Sequence, residues 1–293
     1  AWRHTARSLV WLLSGRDAPI PSGAERNLET YRGIARSLPA WQLASGGEGD
    51  ALDLADILAD LGPRPTSERF LDYYSAFGLE VALEAYGVLE HVRGRGHAGP
   101  FAVTIDTANG TGHLARLHSG AGDLLIELVV RPEHRDGLKL LFIEWLMLQD
   151  PRGAVERPLL PGQKHPGLGC LNQVVGMLVM ACERLGYDGL AFHPAHYHVA
   201  AVARGVASFL DPADEARFDA LRGALAGRTL AQATADVEDG RVRDAHDEPV
   251  RWNPAPMVAP ASDTLRLRLD SDERSAALEA VRPGFAVTLQ LSE

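Results

Sequence analysis

At 293 residues and 46% apolar composition, the chain is long enough to bury a large core and to form one to three domains. A formal net charge of -10 argues against a nucleic-acid clamp, because neutralising phosphates takes clustered Lys and Arg. No stretch approaches the roughly eighteen apolar residues of a membrane span, and Leu9–Leu13 lacks a cleavage-type segment behind it, so neither membrane contact nor a signal peptide is expected.

The N-terminal part, residues 1–95, reads as helical, with apolar spacing over Leu28–Leu38, Ala51–Leu61 and Ser67–Leu89 broken by Pro, Gly and Ser. It is read as a packing appendage or as a module for a protein partner or self-association. Gly94–Pro100 is a break and a first domain boundary. Strands are expected over Phe101–Asp106, His113–His118, Leu124–Val130 and Leu138–Leu148, with Asn109-Gly110 as a hairpin turn and Arg131–Gly137 as a polar loop. Leu138–Leu148 is apolar on both faces and belongs in the middle of a sheet.

Next comes a glycine-bearing loop, Pro161-Gly162-Gln163-Lys164-His165-Pro166-Gly167-Leu168-Gly169. It opens into an amphipathic helix carrying Leu171, Val174, Val175, Leu178, Ala181, Cys182 and Leu185, which Gly186 ends as a C′ glycine. Tyr187–Phe192 reads as a buried strand, and a second helix begins near Ala195. A helix start with free amides and the dipole behind them is a ready site for phosphate. The two cysteines, Cys170 and Cys182, fall on the first of these helices about 18 Å apart at 1.5 Å per residue, so they cannot pair. A reduced, cytoplasmic protein is the default.

Lys164-x-x-Gly167-x-Gly169 resembles the pyrophosphate loop of the GNAT acyltransferase superfamily, whose usual form is Arg or Gln, two residues, Gly, one residue, Gly or Ala. The helix, strand and helix that follow are in that family's order, and the resemblance covers about a third of the chain. Lys stands in place of Arg or Gln, Pro166 lacks an amide, and the connection after Leu148 is longer than the family's. The resemblance implies an α/β fold with a mixed, mostly antiparallel sheet flanked by helices, in which neighbouring strands splay and the cofactor enters the gap. It also implies acetyl-CoA or another acyl-CoA as co-substrate, an amine acceptor, and a cofactor cradle at Gln163, Lys164, His165, Gly167, Leu168 and Gly169. On this reading residues 96–228 form a GNAT-like domain between the helical region 1–95 and a mixed appendage at 229–293.

Acyl transfer to an amine needs a base, and Glu127 and Glu144 stand out because each interrupts an apolar strand. A carboxylate taken out of water has its pKa raised toward that use; the competing reading, which buried charges usually follow, is a strand carboxylate paired with Arg or Lys or pointing into a solvated edge. The resemblance makes Tyr197 a candidate proton donor to the leaving thiolate. His193, His196 and His198 cluster at the strand–helix junction, where His196 is a candidate for chemistry and the trio could line the acceptor pocket. A metal-dependent hydrolase on these histidines is an alternative, as is a GNAT-like binding or assembly protein without activity. His-x-x-His-x-His has no standard zinc spacing, so no metal is expected.

Further on, Ala213–Ala226 and Thr229–Val237 read as helices, and Arg241–Trp252 as a short hairpin. Pro254–Pro260 is linker-like, Leu265–Leu269 alternates as a strand does, Ser271–Val281 is a helix and Phe285–Leu291 alternates again. This tail is either an appendage or an extension of the main sheet.

Overall fold

A computed structural model of the chain describes residues 24–46, 68–108, 110, 112–155 and 159–290. The expected helix over Ala51–Leu61 lies outside them. Among the described residues four helices come first: α1 (Ala24–Ser37), α2 (Ala40–Ala44), α3 (Ala76–Ala85) and α4 (Val88–Gly94). The third begins at Ala76 and not near Ser67, because Ser75 caps it by accepting the amide of Gly78, and because Leu71 and Asp72 just before it have positive φ. Strands β1 (Ala102–Asp106), β2 (His113–His118), β3 (Leu124–Arg135) and β4 (Leu138–Leu148) follow, then α5 (Leu171–Leu185), β5 (Gly189–Phe192), α6 (Tyr197–Ala203), β6 (Ser208–Phe209), α7 (Pro212–Ala224) and α8 (Leu230–Glu238). The chain ends with β7 (Val242–Asp244), β8 (Met257–Pro260), α9 (Asp263–Leu269), α10 (Asp272–Val281) and β9 (Val287–Leu289).

The fold is mixed α+β. Its seven-stranded sheet has the order β1-β2-β3-β4-β5-β8-β6, antiparallel throughout except for the parallel pair β4/β5. Arg131–Arg135 of the expected polar loop is instead strand, and the hairpin turns on Asp136-Gly137, whose φ values of 51° and 78° suit an Asp-Gly turn. The expected linker Pro254–Pro260 is also corrected. Met257, Val258 and Ala259 are buried in an inner strand, β8, which brings the tail into the main sheet between β5 and β6. Leu265–Leu269 is helical despite its alternation: Ser262 caps the start, Leu265 and Leu269 face the sheet one turn apart, and Leu267 stays 73% exposed. β7 and β9 form a separate two-stranded sheet.

One face of the sheet carries the main core, with Leu117, Ile126, Leu128, Val130, Leu141, Ile143, Leu146, Leu190 and Phe192 turned toward α5 and the N-terminal helices. Full burial of each such side chain stabilises by roughly 1.5–3 kcal/mol. Helices α1 and α5 touch closely because Gly176 makes room: a Cβ there would lie 2.2 Å from the ring of Tyr31. Arg184 on α5 donates to the carbonyls of Ala35 at 2.5 Å and Leu38 at 3.0 Å, satisfying the end of α1. The opposite face carries a smaller cluster, Leu138, Leu140, Phe142, Ala191 and Val258, covered by Leu265 and Leu269. Beyond that cluster the second face bears charges.

Candidate functional site

The site begins where β4 and β5 part. Their last parallel rung joins Ile143 to Phe192. On the same edge of β4 the glycine loop takes over at Gln149, opposite Gly167: Leu168 N donates to Leu148 O at 3.3 Å, and Asp150 N donates to Pro166 O at 2.8 Å. Between these points Glu144–Met147 pair with no strand on that edge among the described residues. About 13 Å of strand edge is thus left open, at 3.3 Å per residue. The opening has a local cause in β4. Val129 pairs with Trp145 and Val130 with Ile143, so Glu144 is the extra residue of a β-bulge, which bends the strand.

The glycine loop then delivers α5. Gly169 has φ 87°, a turn that suits glycine, and Leu168 is fully buried beside it. Cys170 is the N-cap but caps no amide with its side chain, and the first turn of α5 carries no acidic residue. Its thiol, pushed up to about 12 by burial, is inert. Lys164 is exposed and makes no ion pair among the described residues, so its charge is free to meet an anion. Gln163 turns back on its own loop, accepting the Leu160 amide at 2.8 Å. His165 is half-buried.

Glu144 and His193 are the first residues beyond the last rung on their two strands. Glu144 is ion-paired with Arg131, which also meets Glu133 at 2.7 Å and sits 4.7 Å from the centre of the Phe142 ring. Glu133 in turn holds Arg135 at 2.9 Å, giving an alternating row of charges along the open face. His193 packs edge-on against Phe142, with ring centres 5.2 Å apart. Burial lowers its pKa, and Arg135 adds to that effect. Glu127 lies on β3, where Arg116 donates to it at 2.7 Å. Neither carboxylate is the desolvated group that their apolar strands suggest. Each is paired with an arginine, the competing reading of the sequence, and strand register decides which arginine it is.

The other candidates are dispersed. Tyr197 is 4% exposed, packs between Phe218 and Trp252, and has its hydroxyl pushed up to about 12 by burial. His196 donates from Nδ1 to Glu238 at 2.7 Å and stacks on His198, which is fully buried with neither ring nitrogen partnered among the described residues. Among the described residues no group of three His, Cys, Asp or Glu could hold a metal ion, and no helix is long and apolar enough to cross a membrane.

Sequence reasoning missed the groups behind the loop. His91 on α4 donates from Nε2 to the carbonyl of Leu168 at 2.8 Å. His97 is buried and donates to Asp150 at 2.9 Å, and Arg95 reaches the other oxygen of that carboxylate at 2.9 Å. Burial pushes Asp150 up, but the hydrogen bonds from His97 and Arg95 prevail and hold it below the usual carboxylate range. The available signal was the pairing of histidines six residues apart around a helix end, which has no specificity by itself. The sequence matches no protein-family model, and no curated protein matches it significantly.

Proposed function

We propose that the chain is an acyl-CoA-dependent N-acyltransferase of GNAT-like fold. The observation that carries this reading is the edge Glu144–Met147, unpaired among the described residues, between the parting of β4 and β5 and the rung at Gly167. It is the kind of gap that the resemblance to the GNAT superfamily implies for its cofactor. It lies next to the loop in which that resemblance was found, and that loop feeds a helix start with no side-chain cap. Free amides at the start of α5, with Lys164 nearby, suit a pyrophosphate. The free peptide groups of β4 suit an extended arm with amides of its own.

A bound acyl-CoA supplies an activated thioester carbonyl. The chain's part is to bind the phosphates at Lys164 and Gly167–Gly169, to lay the arm along β4, and to bring an amine to the bulge at Glu144. Calorimetric titration with acetyl-CoA and with CoA tests the reading. One site per chain for both is expected, and no heat and no thermal stabilisation with either would remove the transferase from consideration. The remaining readings would then be a binding or assembly protein and a metal-dependent hydrolase on His193, His196 and His198.

A further inference from the structure

We propose that His193 is the proton acceptor of the transfer, with the ion-paired Glu144 as its electrostatic partner across the parted strands. The inference rests on the acyltransferase reading and deepens it. Parallel pairing ends at Ile143 and Phe192, so Glu144 and His193 continue the same register on opposite sides of the gap. Alternation from Phe142 puts Glu144 on the face where Arg131 lies, and His193 reaches that face through its contact with Phe142. Glu144 already has a cation in Arg131, whereas Nε2 of His193 is buried with no hydrogen-bond partner among the described residues.

The groups whose charges act on the imidazole are Arg135 and Arg131, which oppose its protonation, and Glu133 and Glu144, which favour it. With burial the balance keeps the ring neutral at pH 7, which is the form that takes a proton. In the transfer, an ammonium gives one proton to the His193 ring. The freed nitrogen lone pair forms the C–N bond, and the C–S bond breaks with its electrons going to sulfur. The second nitrogen proton ends on that sulfur, leaving an amide and a thiol. The proton held by His193 passes to solvent, so the ring is restored.

Diethyl pyrocarbonate, which acylates only unprotonated imidazole, provides the test, with labelling of His193 in the full chain followed by mass spectrometry. Labelling is expected to rise with pH to a plateau reached below the normal histidine range. Acetyl-CoA at ten times its Kd should slow it about tenfold. In Glu144→Gln the pH midpoint should fall, because a charge that favours protonation is gone. His193→Gln should still be stabilised by acetyl-CoA, showing that the fold and the loop survive. A His193 that is never labelled, or labelled equally fast with acetyl-CoA bound, overturns the assignment, as does an unchanged midpoint in Glu144→Gln. If acetyl-CoA stabilises neither wild type nor variant, the acyltransferase reading fails first, and that outcome is distinct from loss of protection.

Discussion

The Nε2 of His91 lies 2.8 Å from the carbonyl oxygen of Leu168, tying the helix before the sheet to the end of the glycine loop. The bond demands an imidazole protonated on Nε2. His91→Ala should cost on the order of 1 kcal/mol of stability, the usual net worth of such a bond. It should weaken CoA binding several-fold as well, because the loop loses a support. Denaturant titration paired with calorimetry checks both. Lost stability with unchanged affinity would make His91 a packing residue alone.

Asp150 is 2% exposed and carries bonds from His97 and Arg95 while its own amide holds Pro166. Asp150→Ala should destabilise by roughly 3–5 kcal/mol, since it leaves His97 and Arg95 without their shared carboxylate. The folded carboxyl is held below its ordinary value, so the folded state binds the proton less readily than the unfolded one. The resulting stability is therefore present above about pH 3.8 and is lost as pH falls through the lower folded value. Unfolding midpoints of wild type and variant measured from pH 7 to pH 2 should converge at the acid end. A gap that stays constant to pH 2 would contradict this.

His198 gives a different window. Burial, with a smaller contribution from the neighbouring His196, pushes its pKa down from 6.5 to about 4. The unfolded chain takes up this proton first, so stability falls as pH drops from about 6.5 toward 4, by up to roughly 3 kcal/mol. His198→Phe should flatten the curve in that interval, because the buried ring then has nothing to protonate. Chemical denaturation at pH 7, 5.5 and 4.5 checks it, and equal losses in the two proteins would assign the acid sensitivity elsewhere.

Much of the centre of the molecule was legible in the sequence. The helix Leu171–Leu185 with its C′ Gly186, the buried strand through Phe192 and the central strand Leu138–Leu148 follow from periodicity and one glycine. Leu265–Leu269 misled because Arg266 and Arg268 happen to alternate with leucines, while the cap at Ser262 decides the conformation. The strand β8 was hidden by its flanking prolines, yet Pro260 at its last position costs the ladder little. For the site, the loop and its helix were readable, and so was Glu144 as an interruption. The bulge at Glu144, the arginine that pairs with it and the position of His193 across the gap depend on strand register, which no single strand encodes.

The central claim is that the start of α5 holds the pyrophosphate of an acyl-CoA, and Asn172→Asp tests it most directly. Asn172 is exposed in the first turn of a helix that has no acidic residue there. The substitution is isosteric and places a negative charge against the positive end of the helix dipole. It should leave the free protein as stable as wild type or more so, by about 0.3–1 kcal/mol. The same charge repels phosphate, so CoA affinity measured by calorimetry should fall at least about tenfold, a coupling of about 1.4 kcal/mol. A stable variant that binds CoA as tightly as wild type would put the phosphates somewhere other than the start of this helix and would contradict the account.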